Sequence, residues 1–141
     1  VSLSMGHSNA TYEEAMTAIE AGIKSTTHMF NAMSPLNHRE PGVVGAVLNS
    51  DVYCELIADK VHVHPAIYRL LINAKGKDKV ILITDAIRAA CMKPGPYDLG
   101  GQKVTVAHGE ARLEDGTLAG SVLRLNEAVR NFREHTKLPI S

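Results

Sequence analysis

The stretch Val80-Ile81-Leu82-Ile83-Thr84-Asp85 sets four apolar residues in a row directly before a polar pair. A strand that is covered on both faces, as in a parallel sheet between helices, has such a continuous apolar run. Three earlier segments repeat the same order of a short apolar run, a polar residue and then a helix. We therefore predict four parallel strands, at residues 1–5, 23–27, 52–58 and 80–83.

Capping residues mark the helix boundaries between these strands. Residues 11–14 (TYEE) form a capping box, in which the threonine hydroxyl and the second glutamate each accept a hydrogen bond from the other's backbone amide. The helix that this box opens ends at Gly22, which suits a left-handed stop. Pro65 fits the first turn of a second helix, which Gly76 closes. Ser121 is predicted to cap a last helix.

Strands that alternate with helices at this spacing are typical of βα units and a parallel sheet. The predicted fold class is α/β, namely the second half of a (β/α)8 TIM-type barrel with about four parallel βα units. Four strands are half of the eight that close such a barrel. Alternating apolar residues around Gly100-Gly101 and His108-Gly109 add a predicted β-hairpin insertion at residues 97–113.

Composition narrows the classes of partner and the compartment. The 141 residues carry 15 Lys and Arg against 15 Asp and Glu, so no net field attracts nucleic acid or a membrane surface. No apolar run approaches the roughly 18 residues of a membrane span. Two cysteines are too few for a disulfide framework and favour a cytoplasmic location. Because the chain begins without Met and Pro139 resembles the lead into another helix, we expect a fragment.

Polar residues lie at the carboxyl ends of the four predicted strands, namely His7, His28, His62 and Asp85. In barrels of βα units the carboxyl ends of the strands carry the chemistry. Neutral imidazoles bind Zn²⁺ or a similar cation, and a carboxylate beside the metal can move the proton of an attacking water. Taken singly these signals are weak, since Asp85 alone could merely cap a following helix. Three other histidines receive the ordinary interpretation of exposed loop or helix residues: His38, His108 and His135.

Six short blocks together resemble the signature blocks of the N-acetylglucosamine-6-phosphate deacetylases of the amidohydrolase superfamily. They are GHSNAT at residues 6–11, THMFNAM at 27–33, REPG at 39–42, IADKVHV at 57–63, TDA at 84–86 and LAGS at 118–121. The resemblance covers essentially the whole chain. It implies that residues 1–141 are the C-terminal half of a catalytic barrel, with an upstream half-barrel and a small β domain outside the sequence.

The resemblance also implies a role for individual residues. His7 and His28 match metal ligands, and Asp85 matches the catalytic carboxylate, first general base and then general acid. Arg39 matches a phosphate-binding arginine that serves the neighbouring subunit's site. The other matches are substrate-binding positions: Asn31, Ala32, Asp59, Lys60, Val61, His62, Leu118, Ala119 and Gly120.

For cofactor and partners the resemblance implies a divalent metal ion, with Zn favoured and Fe, Co or Mn as alternatives. The implied partner is an amino-sugar phosphate, without nucleic acid or membrane, in a homo-oligomer that is a dimer or a tetramer. The implied reaction is hydrolysis of the N-acetyl group of N-acetylglucosamine 6-phosphate. Two alternatives remain open, a sibling amidohydrolase for another N-acyl sugar or a cyclic amide, and a catalytically incomplete fragment.

Three departures from the family pattern qualify these expectations. The metal-binding glutamate of the family lies upstream of this sequence. Lys60 stands where the family usually has Gly, so its side chain either attracts phosphate, crowds the loop or lies in solvent. Cys91 stands near another usual Gly and is interpreted as a small residue tolerated in a loop.

Overall fold

A computed structural model describes residues 1–138, so the helix lead predicted at Pro139 lies outside the described residues. Four strands form a parallel sheet in chain order, as predicted: β1 (Leu3–Met5), β2 (Ile23–Thr26), β3 (Tyr53–Ile57) and β4 (Val80–Ile83). The longest pairing, between β3 and β4, runs from Cys54 opposite Val80 to Ile57 opposite Ile83. All four carboxyl ends therefore open at one edge of the sheet.

Helices connect and cover the strands of the parallel sheet. They are α1 (Tyr12–Glu20), α2 (Gly42–Leu48), α3 (Pro65–Lys75) and α4 (Leu125–Thr136), with a short 3-10 turn at Lys77–Lys79. The capping box before α1 is confirmed, since the Thr11 amide donates to the Glu14 carboxylate at 2.9 Å and the Thr11 hydroxyl accepts from the Glu14 amide at 3.3 Å. None of the helices within residues 1–138 is long and apolar enough to cross a membrane.

The core of the parallel sheet lies between these helices and the strands. Leu56 and Ile57 on β3 are fully buried, and so is the ring of Tyr68 on α3. Next to α3, with which it is in contact through Lys75 and Val47, α2 contributes Val43 and Val47, which are also fully buried. Burial of apolar side chains on both faces of β3 holds the carboxyl edge of the sheet in place, because a packed core resists displacement.

Two sequence predictions need correction. The insertion is not a hairpin but a three-stranded antiparallel sheet of β5 (Gly95–Leu99), β6 (Gln102–Ala107) and β7 (Glu110–Leu113). Ser121 does not cap α4, which begins four residues later. The Ser121 hydroxyl instead donates to the Thr84 carbonyl and accepts from the Leu123 amide. This serine therefore ties the segment after the insertion to the end of β4.

Candidate active site

The loops after β1 and β2 bring two histidines together. The rings of His7 and His28 meet edge to face, with 4.7 Å between their centroids and 89° between their planes. Gly6 allows the loops to approach this closely, because a Cβ at Gly6 would lie 1.9 Å from the Thr27 hydroxyl oxygen. The two imidazoles therefore face each other at the carboxyl edge of neighbouring strands.

The orientation of His28 is fixed by its own loop. Its Nδ1 lies 3.2 Å from the Asn31 carbonyl, which can only accept, so Nδ1 carries the proton and donates. The Nε2 atom then carries the lone pair, and the Thr27 hydroxyl oxygen lies 3.4 Å from it. The Asn31 side chain in turn donates to the carbonyls of His28 and Met29, at 3.2 and 3.1 Å. Such a hydrogen bond on the far nitrogen is typical of a ligating histidine.

The loop after β3 holds His62 through Asp59. The imidazole Nδ1 of His62 donates to the Asp59 carboxylate at 2.6 Å, and both side chains are nearly buried. The other carboxylate oxygen accepts from the amides of Val61 and His62, at 2.8 Å each. Burial disfavours the ionised form of Asp59, but the hydrogen bonds from His62 and Val61 outweigh it and lower the pKa of this carboxyl. Both carboxylate oxygens of Asp59 therefore accept hydrogen bonds from its own loop, and Asp59 positions His62.

Lys60 points away from the other predicted site residues. Its ammonium pairs with the Glu134 carboxylate of α4 at 2.9 Å, with both side chains partly exposed. This pairing lowers the pKa of Glu134. Of the three readings of Lys60, the structure places its side chain at the surface, in an ion pair with α4. Its backbone amide donates to the Tyr68 hydroxyl at 3.0 Å.

Asp85 ends β4 and lies exposed at the same edge as the histidines. Its backbone carbonyl accepts from the Ser121 amide at 2.9 Å, which joins the end of β4 to the segment that follows the insertion. Gly120 is needed at this junction, because φ is +69° and a Cβ would lie 3.1 Å from the Asp85 carbonyl oxygen. Turns and bends rather than a helix follow Asp85, so the helix-capping interpretation of this residue is wrong.

A cleft of about 530 Å³ gathers eight of the predicted site residues. The predicted residues that line it are His7, His28, Asn31, Ala32, His62, Asp85, Leu118 and Gly120. Three further lining residues were not predicted from the sequence: Arg112, Gly116 and Thr117. Gly116 and Thr117 belong to the Asp-Gly turn before the LAGS block, and Arg112 carried no motif that could have revealed it.

The remaining predicted residues lie outside this lining: Arg39, Asp59, Lys60, Val61 and Ala119. Arg39 is exposed at the tip of a tight turn, in which the Asn37 and Glu40 amides each donate to the other's carbonyl at 3.2 Å. Ala119 is buried and donates its amide to the Ala111 carbonyl on β7 at 2.9 Å. The structure therefore brings together the strand-end residues and separates Arg39 from them.

The arrangement of the site residues is typical of one class of protein, the enzymes built on βα units. Barrel enzymes build their sites at the carboxyl edge of a parallel βα sheet. Here that edge carries two histidines in contact, an Asp–His pair and an exposed aspartate.

The chain is 52% identical over 134 residues to an N-acetylglucosamine-6-phosphate deacetylase of Bacillus subtilis. The aligned region covers 94% of this chain and 34% of that protein. It is 44% identical to an N-acetylgalactosamine-6-phosphate deacetylase of Escherichia coli O157:H7, over 96% of this chain and 36% of the relative. A crystal structure of N-acetylglucosamine-6-phosphate deacetylase from Thermotoga maritima superimposes with a TM-score of 0.95 at 46% identity, over 99% of this chain and 39% of that one. No protein-family model matches the chain.

The chain is therefore a homologue of N-acetylglucosamine-6-phosphate deacetylases over nearly its whole length. It spans about a third of the length of the curated relatives that it matches.

Proposed function

We propose that the whole protein hydrolyses the N-acetyl group of N-acetylglucosamine 6-phosphate, releasing glucosamine 6-phosphate and acetate. The observation that carries the proposal is the cleft in which His7, His28 and Asp85 meet at the carboxyl edge of the sheet. Identity of 52% to a deacetylase named for this substrate supports the choice of substrate.

His7 and His28 would hold a divalent metal ion, with Zn favoured and Fe, Co or Mn as alternatives. The fit rests on the contact between the two rings and on the lone pair of His28 Nε2, which the Thr27 hydroxyl approaches to 3.4 Å, since neutral imidazoles suit these cations. When bound, the cation supplies Lewis-acid polarisation of the amide carbonyl. Within residues 1–138 no three His, Cys, Asp or Glu residues are grouped to hold a metal. Residues 1–141 alone would therefore bind metal weakly and lack activity.

Asp85 would move the proton in the reaction. Its carboxylate accepts a proton from the attacking water while the water oxygen bonds to the acetyl carbon. The same carboxyl then donates that proton to the sugar nitrogen as the C–N bond breaks, which leaves acetate and a free amine. The exposed position of Asp85 beside the two histidines, in a cleft of about 530 Å³, gives the substrate access to this carboxylate.

Substrate binding would involve the loops around the cleft. Asn31 and Ala32 would contact the sugar phosphate, and His62, positioned by residues 59–61, would contact the substrate with its free ring nitrogen. The segment 118–120 would approach the sugar through its backbone. Arg39, on its exposed turn, would serve the site of a neighbouring subunit in a homo-oligomer, which we propose to be a dimer or a tetramer.

The wider setting follows from the same relationship. We propose that the parallel sheet is the C-terminal half of a (β/α)8 barrel, completed by an upstream half-barrel and flanked by a small β domain. Two unpaired cysteines, Cys54 and Cys91, favour a cytoplasmic location.

A second candidate substrate is N-acetylgalactosamine 6-phosphate, because a relative named for it is 44% identical to this chain. Both candidates are N-acetylhexosamine 6-phosphates, and they differ only in the configuration at one hydroxyl. Both place the same amide and the same phosphate in the cleft.

Acetate release by the purified whole protein tests this proposal. We expect kcat/KM for N-acetylglucosamine 6-phosphate to exceed that for unphosphorylated N-acetylglucosamine by at least about 100-fold, because a site built for a charged group discriminates strongly against its absence. N-acetylgalactosamine 6-phosphate, assayed in parallel, decides between the two hexosamines. Absence of acetate release from both phosphates by metal-loaded protein would refute the proposed function.

A further inference from the structure

Arg112 on β7 lies in the wall of the cleft that holds the candidate catalytic residues. It belongs to the antiparallel sheet rather than to a strand end of the parallel sheet. Among the described residues that line this cleft, Arg112 is the only lysine or arginine. Its guanidinium carries a delocalised positive charge on a planar fork of N–H donors.

Two short hydrogen bonds hold the Arg112 side chain in one orientation. Its Nε donates to the Glu110 carboxylate at 2.6 Å, and its Nη1 donates to the Gly116 carbonyl at 2.6 Å. A guanidinium has five N–H donors, so three remain for a ligand. Because the fork is already fixed by Glu110 and Gly116, little conformational entropy is lost when a ligand binds.

The backbone around Arg112 connects it to the end of β4. Arg112 pairs with Leu118 in an isolated antiparallel bridge, and the Leu113 amide donates to the Thr117 carbonyl at 2.9 Å. Two residues beyond Leu118, Gly120 packs against the Asp85 carbonyl. The segment from Arg112 to Gly120 thus connects the backbone at Arg112 to the backbone at Asp85, and both residues line the cleft.

Charge balance gives the arginine a specific use. A phosphate monoester brings about two negative charges into a cleft that already contains the Asp85 carboxylate, and like charges at close range repel. Arg39, the arginine that the family resemblance assigns to the phosphate of a neighbouring subunit's site, lies on a turn outside the lining of this cleft. A guanidinium fork matches the geometry of phosphate oxygens and can bind two of them together.

We propose that Arg112 is a specificity-determining residue, which binds the phosphate group of the amino-sugar phosphate with the free donors of its guanidinium. This inference rests on the proposed function and adds a phosphate contact within the chain's own cleft. Glu110 is the positioning residue that orients the fork.

Equilibrium binding separates this role from a purely structural one, because it requires no turnover. Ligand-detected NMR would measure the affinity of the whole protein for glucosamine 6-phosphate and for glucosamine. The variants are Arg112→Gln, Arg112→Lys and, as matched control, Arg88→Gln. Arg88 precedes the antiparallel sheet and pairs with Asp98 on β5 at 2.8 Å. It lies outside the cleft lining.

For Arg112→Gln we expect glucosamine 6-phosphate to bind about 10- to 100-fold more weakly, the range for losing a hydrogen bond to a charged group. Glucosamine affinity should change less than about threefold, and Arg88→Gln should leave both affinities unchanged. Arg112→Lys keeps the charge but loses the fork, so it should reduce the phosphate preference by a smaller factor. It also reports on the site if Arg112→Gln does not fold.

Equal losses for both ligands in Arg112→Gln would overturn the inference, because they would show that the arginine only braces Gly116. An unchanged phosphate preference in Arg112→Gln, or in Arg112→Lys where the former does not fold, would overturn it as well while leaving the proposed function intact. Equal affinity of the unsubstituted protein for the two ligands would refute both the inference and the proposed substrate class.

Discussion

Left-handed backbone is concentrated at the candidate site. Nine non-glycine residues in the described range have positive φ, and five of them were predicted as site residues: His7, His28, Ala32, Lys60 and Asp85. A side chain in this region of φ/ψ space costs free energy, and such residues persist where the surrounding structure fixes them. At His7, His28 and Asp85 the backbone turns immediately after a strand, which aims each side chain at the shared edge.

Lys60 has the same backbone conformation, with φ of +71°, but does not line the cleft. Its side chain extends to Glu134 on α4. Glycine adopts this conformation at little steric cost, which agrees with the glycine that the family resemblance implies at position 60. Cys91 has a similar φ of +68°. The exposed ion pair with Glu134 offsets little of the cost, because solvent screens the attraction between surface charges.

We therefore predict that the Lys60→Gly variant is more stable than Lys60→Ala by about 1 kcal/mol, the cost of a Cβ in left-handed backbone. Both variants lose the ion pair, so the difference between their free energies of unfolding measures the cost of a Cβ in this backbone conformation. Denaturant unfolding measures it. The control position is exposed Lys77, where φ is not positive and alanine should be at least as stable as glycine. Equal stability of the two Lys60 variants would refute the strain.

At the scale of elements, the sequence predicted what local signals encode. Strand positions followed from apolar runs, and the start of α1 followed from its capping box. The helix α2 escaped detection because Gly42–Leu48 (GVVGAVL) is almost entirely buried and has no polar face. A fully buried apolar run does not reveal its period, so helix and strand look alike. The Ser121 error had another cause, since its hydroxyl serves a tertiary contact that no local pattern reports.

Lys75 joins two elements in a way that only the structure reveals. This lysine of α3 is buried, and its ammonium donates to the Val47 carbonyl at 2.8 Å and to the Ser50 carbonyl, at the end of α2. Burial lowers the pKa of Lys75. A cation at a helix C-terminus is favourable because the last carbonyls lack partners within the helix.

Replacing Lys75 by Met should lower the free energy of unfolding by about 1.5–3 kcal/mol, the value of a hydrogen bond to a charged group. The matched control is Lys79→Met, which removes a lysine that pairs with highly exposed Asp51 at 2.9 Å. The Lys79–Asp51 pair should contribute little, because solvent screens the exposed Asp51 carboxylate. Thermal or denaturant unfolding of both variants compares them, and a loss at Lys75 no larger than at Lys79 would contradict the role of Lys75 in holding α2.

At the scale of the whole molecule, two sheets meet at one site. The parallel sheet presents its strand ends, and the antiparallel sheet carries Arg112 and the segment 116–120 to the same cleft. The sequence predicted the first set because chemistry at strand ends is a property of βα folds. Arg112 escaped prediction because its position depends on how β7 packs across the chain, to which no spacing rule applies.

Asp85 is the residue on which the proposed function depends most directly. Its backbone is held by Ser121 and Gly120 rather than by its side chain, and no helix follows for the carboxylate to cap. Asp85→Asn should therefore preserve the fold, with a melting temperature close to that of the unsubstituted protein, and remove only the proton acceptor.

The most direct test of this account is kcat for acetate release from N-acetylglucosamine 6-phosphate by the Asp85→Asn variant of the whole protein. Loss of general acid–base catalysis predicts that kcat falls on the order of 10²–10⁴-fold while KM changes little. The melting temperature of the same preparation confirms that the variant is folded. Near-normal kcat in this folded variant would contradict the assignment of Asp85 as the catalytic carboxylate.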